Sequence, residues 1–209
     1  MLRSLKNYCL LGLLLLGGCA TLNQSECLNA NWQMIGLEDG SKGQALSYIG
    51  NHRKACAKFN ISPDLEQYQL GHAQGLRQYC TYNTGLRLGT RGGNFKSICP
   101  AELEGDFRLG HQRGREIYSL NVELKRTNIA IKDSYTLLDG LADDLLEIQD
   151  LIISRETRKV EKALLLIELL ETQSEIGRLE EDVDLLEQQK AEVIYERNLL
   201  RQRYQAGPG

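Results

Sequence analysis

From Leu120 onward the apolar residues of this 209-residue chain recur at alternating three- and four-residue steps. One run passes through Leu120, Leu124, Thr127, Ile131, Ser134, Leu138, Leu141, Leu145, Ile148 and Ile152. A second passes through Leu169, Thr172, Ile176, Leu179, Val183, Leu186, Lys190, Val193, Arg197, Leu200 and Tyr204. More than three heptads in each run predict a coiled coil over residues 119–205, with 206–209 as a tail ending in the breaker Gly207-Pro208-Gly209. Between the runs the stripe breaks at Arg155, Lys159 and Lys162. The helix either continues there with a shifted seam or folds back near 154–162 into a hairpin. That stretch holds no Gly or Pro, which favours continuity. A narrow apolar stripe cannot stay wet, so an identical chain, a partner helix or its own other half must cover it.

Upstream the pattern is choppier. Helical pieces are expected at about 27–40, 44–58 and 64–80, with another starting near 101. Ser62-Pro63-Asp64 starts the third, with Asp64 as its cap and Glu66 in the first turn. An aromatic followed by Gly-x-x-x-Gly recurs here. Tyr68-Gln69-Leu70-Gly71-His72-Ala73-Gln74-Gly75 is matched 39 residues later by Phe107-Arg108-Leu109-Gly110-His111-Gln112-Arg113-Gly114, with Tyr79 and Tyr118 at equivalent places. Trp32 to Gly40 is a weaker earlier copy. Glycines four apart share one helix face and let a second backbone approach closely, at about 1 kcal/mol of helix propensity each. The other reading is that they mark turns. Thr81 to Phe95, with Gly85, Gly89, Gly92 and Gly93, reads as a turn-rich loop.

The first residues carry a different pattern. Arg3 and Lys6 precede an apolar run from Tyr8 to Leu16, then Gly17, Gly18 and Cys19. A short positive end, an apolar core and small residues at a cut site make a secretory signal, too short for a permanent span. The cysteine makes it resemble a bacterial lipoprotein signal, which implies cleavage before Cys19 and a lipid on its sulfur. Residues 1–18 are then the signal peptide and 19–26 the lipid anchor and tether. Residue 20 is Ala rather than Asp. By resemblance to lipoprotein sorting in Gram-negative cells, that implies the outer membrane, with the chain facing the periplasm.

Four further cysteines, Cys27, Cys56, Cys80 and Cys99, read as two disulfides in an oxidising compartment. The expected helix ends pair Cys27 with Cys56 and Cys80 with Cys99. Together these features define a cysteine-bearing helical domain over 27–118. The fold class is mainly α: a small disulfide-bonded helical head with a Gly-rich loop, followed by a long coiled-coil helix or helical hairpin.

Charge and candidate chemistry change this picture little. From Asp139 to Glu196 the balance is −11, read mainly as a solvated face, and no basic patch suited to nucleic acid occurs. His52, His72 and His111 lack metal-ligand spacing and read as surface histidines, two of them from the duplicated segment. Asp143-Asp144 and Glu180-Glu181-Asp182 read as exposed carboxylates on heptad helix. Trp32, Tyr79, Tyr82 and Phe95 could stack on glycan rings, although a domain with so few large side chains needs them in its core. Neither a catalytic residue, a cofactor nor a metal is expected.

The cysteine-bearing region resembles an exported bacterial family known as domain of unknown function number 2799. The resemblance rests on Trp32, Gly36, Asp39-Gly40, Arg53, Cys56, Pro63-Asp64, Tyr68, Gly71, Gly75-Leu76, Tyr79-Cys80, Gly85, Gly89, Cys99-Pro100, Phe107 and Gly110. It covers about residues 27–118, implies an envelope lipoprotein with paired cysteines, and carries over no catalytic residue. The expectation is a non-enzymatic lipoprotein, held to the membrane by its N-terminal lipid and acting through self-association or a partner protein on its coiled coil. The alternatives are a glycan-binding envelope module and a metal-dependent enzyme.

Overall fold

A computed structural model describes residues 23–207. Cys19 and the signal segment lie outside the described residues. The described chain is helical: α1 (Gln24–Leu28), α2 (Trp32–Ser41), a 3-10 turn (Leu46–Tyr48), α3 (Ile49–Ala57), α4 (Leu65–Tyr79), α5 (Tyr82–Thr90), α6 (Ala101–Ile153) and α7 (Lys159–Gln205). The described chain divides into two compact units, one holding residues 23–80 together with Ser97–Leu103, the other Thr81–Lys96 with residues 104–207. The division runs through the 27–118 region rather than after it.

In the first unit, α2 and α4 lie against each other through their glycines. A methyl group at Gly36 would stand 2.1 Å from the Tyr68 carbonyl oxygen, and one at Gly71 only 1.8 Å from that of Gln33. Gly40 and Gly75 face the His72 and Leu37 carbonyls at 2.3 and 2.2 Å in the same sense. No side chain fits at these four places, so each glycine's propensity cost is offset by backbone contact. Asp64 caps α4 as expected, its carboxylate accepting the Gln67 N–H at 3.0 Å. The core around the pair comprises Cys27, Trp32, Ile49, Cys56 and Tyr68, closed by the Cys27–Cys56 disulfide. The helix expected over 27–40 is two, because Asn31 interrupts it and caps α2 through the Met34 N–H at 3.0 Å.

The second unit builds the same pair from α5 and the start of α6. Methyl groups at Gly85 and Gly89 would meet the Phe107 and His111 carbonyls at 2.1 and 2.2 Å, and those at Gly110 and Gly114 would meet Tyr82 and Leu86 at 2.1 and 2.3 Å. The expected loop over 81–95 is therefore corrected: its first half is a helix, capped by Thr81, whose hydroxyl accepts the Thr84 N–H at 3.2 Å. Gly85 and Gly89 have the spacing recognised elsewhere, and they are glycines for packing rather than turning. The repeat is thus two copies of a helix pair, its leading helices 49 residues apart and its second helices 39 apart. The Trp32–Gly40 segment is the leading helix of the first pair. Smaller details repeat too. Gly43 and Gly92 both take positive φ, at 71° and 77°, over the rings of Tyr79 and Tyr118. The Cys80–Cys99 disulfide closes the loop that contains α5.

The long region folds back. α6 stops at Ile153 and α7 begins at Lys159, which decides against the single continuous helix that a stretch without Gly or Pro favoured. Arg158 starts α7, its N–H donating to the Glu161 carboxylate at 3.1 Å, while the Lys162 ammonium donates to the Ser154 carbonyl at 2.6 Å. Two arms that bury each other's stripe need no third party, and that gain outweighs a few broken helical hydrogen bonds. Every heptad position in both runs is buried or half-buried. The arms are antiparallel: the Gln189 amide donates to Glu123 at 3.2 Å, the Tyr82 hydroxyl donates to the Tyr204 carbonyl at 2.9 Å, and the Tyr204 hydroxyl donates to Glu116.

Candidate functional site

The first helix pair carries a polar cluster that the second lacks. Asp39 on α2 is buried, and its Oδ2 accepts the Tyr68 hydroxyl from α4 at 2.8 Å. The same oxygen lies 2.7 Å from Nε2 of His52 on α3. The His52 ring is boxed by Tyr48, Trp32 and Tyr68 at centroid distances of 5.5, 6.2 and 6.1 Å. Burial, and then the Asp39 carboxylate beside it, push the Tyr68 phenol well above its ordinary value. One carboxylate thus ties three helices together, meeting a buried hydroxyl and a half-buried imidazole. At the equivalent places of the second pair stand Leu88 and Phe107. Phe95 packs there on Phe107 and His111 at 5.8 and 5.5 Å, with the Arg108 guanidinium 4.6 Å from its ring centre. The two pairs share the backbone contact, and the place of the polar cluster in the first is apolar in the second.

The histidines are corrected from surface to structural. His72 and His111 are buried, and Nε2 of each lies 2.8 Å from a loop carbonyl, Gln44 in one unit and Gly93 in the other. Their two carbonyl partners stand 49 residues apart, as the leading helices do. No group of three or more His, Cys, Asp or Glu among the described residues is placed to hold a metal. Trp32 and Tyr82 are buried, and Tyr82 is held by its bond to Tyr204 and by the Arg113 guanidinium, which donates to its hydroxyl at 3.1 Å. Asp143, Asp144, Glu180, Glu181 and Asp182 are exposed. A cleft of about 280 Å³ in the second unit is lined by Leu86, Arg87, Thr90, Arg91, Ile117, Arg201 and Gln205.

The surface that lacks an internal explanation surrounds the hairpin turn. Leu146, Leu151 and Ile153 at the end of α6, and Val160, Leu164, Leu166, Ile167 and Leu170 at the start of α7, are all exposed, Ile153 and Val160 by about three-quarters. Leu165 and Leu169 meanwhile serve the inner stripe. Residues 163–170 of α7 are therefore apolar on nearly every side, Glu168 excepted, as a helix is when something covers it all round. The turn itself is polar and cationic, with Arg155, Arg158, Lys159 and Lys162, whereas the arms behind it are acidic. The heptad reading found the inner stripe but passed over this outer one. The run Ala163-Leu164-Leu165-Leu166-Ile167 was the available signal, being too apolar for one face. No helix among the described residues is long and apolar enough to cross a membrane.

No curated protein and no solved structure matches the chain. Residues 31–116, which hold both helix pairs, match the model of a family described as a protein of unknown function (DUF2799).

Proposed function

We propose that this chain is an exported lipoprotein, anchored by a lipid on Cys19 in the outer membrane and facing the periplasm, that works as a non-enzymatic interaction protein through the hairpin of α6 and α7. The observation that carries the reading is the exposed apolar surface around the turn. Eight large apolar side chains stand exposed on either side of one turn, and soluble monomers rarely leave so much apolar surface in one place; such surfaces mark contact sites. The export half of the reading rests on Leu16-Gly17-Gly18-Cys19 and on two disulfides, which suit an oxidising compartment.

The test is a photo-crosslinking residue at Thr157, in the turn, used in intact cells. Adducts of defined mass are expected, and they should weaken in a Val160→Ser/Leu164→Ser variant. A turn that captures nothing overturns the interaction role. Labelled fatty acid should enter the wild-type chain and not Cys19→Ala; equal labelling of both overturns the anchor.

A further inference from the structure

We infer that the hairpin tip binds a second copy of this chain, the two tips overlapping antiparallel so that each cationic turn lies on the acidic arms of the other. The inference rests on the arm being the working part and names what it grips. Eight apolar side chains, each two-fifths to three-quarters exposed, offer on the order of 800 Å², the share one partner contributes to a standard interface.

Charge sets the orientation. Arg155 and Lys159 are exposed in the turn. The patch extends about ten residues along each arm, roughly 15 Å at the helical rise. Two patches laid antiparallel over one another therefore bring each turn beside Asp143, Asp144 and Glu147 of α6 and Glu168 and Glu171 of α7 in the other copy. All five carboxylates are exposed. Side by side in the same direction, the arms would set acid against acid, and like charges in contact oppose association. The arrangement is isologous, so it closes as a dimer and leaves no sticky end.

A lipid surface suits the tip less well. The residues that would enter first are Ser154, Arg155, Glu156, Thr157 and Arg158, all polar, while the apolar side chains flank the shafts behind them. Helices alongside cover such shafts, and the chain supplies two of them per copy.

The experiment is carbodiimide crosslinking of full-length chain in membrane vesicles, purified from an equal mixture of normal and ¹⁵N-labelled cells and read by mass spectrometry. Mixed-isotope peptides joining Lys159 to Asp143, Asp144, Glu147, Glu168 or Glu171 are expected. Val160→Ser/Leu164→Ser should reduce them about tenfold or more, because each copy loses two apolar burials. Both side chains are exposed, so an unchanged helical circular dichroism spectrum separates lost pairing from lost folding. Mixed peptides joining the two turns to each other overturn the antiparallel geometry. Complete absence of mixed peptides, while the photo-crosslinker at Thr157 still captures another protein, overturns self-pairing and leaves the arm's role standing. Absence of both overturns both.

Discussion

A carbonyl oxygen 1.8 Å from where a β-carbon would sit leaves no room for repacking, since the obstacle is backbone. Gly71→Ala should therefore force α2 and α4 apart and cost about 3 kcal/mol, the upper range for overpacking. Gly140→Ala and Gly177→Ala are the controls: both sit on helices with nothing within 4 Å, and each should gain up to about 1 kcal/mol in helix propensity. Urea denaturation followed by circular dichroism reads both signs, and equal effects at Gly71 and Gly140 would defeat the close-packing account. The Asp39 cluster makes a second prediction at this scale. Tyr68→Phe puts into the first pair the residue that the second uses, and it removes a hydrogen bond to a carboxylate worth about 1.5 kcal/mol. The pH dependence has a definite sign. Because the folded Tyr68 phenol is held above its unfolded value, its contribution is complete below about pH 10 and is lost as pH climbs toward the folded value. Wild-type stability should fall more steeply than that of Tyr68→Phe above pH 10, and parallel curves would remove Tyr68 from the account.

At the scale of elements, what the sequence displayed depended on whether a residue's neighbours were local. Asp64 acts on its own helix, through an amide three residues away, and its role as a cap is readable without the fold. The heptad positions also survive intact, because the inner stripe of a helix is the same whichever partner covers it. The break near 154–162 was readable from the interrupted stripe, but the choice between a continuous helix and a turn there was not. Whether two stripes meet each other or a third chain is decided by long-range packing, and Ser154 and Glu161 end and restart helices without Gly or Pro. Likewise α5 was hidden because glycine is ambiguous: at Gly92 it serves a positive φ, while at Gly85 and Gly89 it serves contact with α6. The Asp39–His52–Tyr68 cluster was invisible for the same reason, its members being 13 and 29 residues from Asp39. The cysteine pairing was legible because each bridge closes a short stretch of chain, 29 residues around α2 in one case and 19 around α5 in the other. Cys80 and Cys99 enclose α5, the shortest helix to carry a full glycine pair, so that bridge should matter to it most. Replacing both by Ser should lower stability by about 3 kcal/mol in the chain-entropy model. Loss confined to the signals of Tyr82–Thr90 in amide hydrogen exchange would place the effect on α5, whereas uniform loss would spread it through the fold.

Across the whole molecule, the duplicated pairs and the hairpin answer differently to charge. The helix pairs are held by backbone contact, buried rings and disulfides, none of which salt weakens appreciably. The arms carry seventeen carboxylates against six cations between Asp139 and Glu196, and this excess repels itself. Raising ionic strength from about 0.01 M to 0.15 M shortens the screening length from about 30 Å to about 8 Å, less than two helical turns along an arm. The amides of the arms should then become better protected in hydrogen exchange, while those of α2 and α4 stay unchanged. Pairing of tips obeys a second rule, because it sets a cationic turn on acidic arms. In the same titration the mixed-isotope crosslinks from Lys159 should decline, though not vanish, since apolar contact persists in salt. Arms that stabilise while the tip-to-arm pairing between copies loosens is a combination that neither a rigid arm nor a purely apolar tip produces. A rise in both signals together would mean that the carboxylates act within one hairpin and not between two.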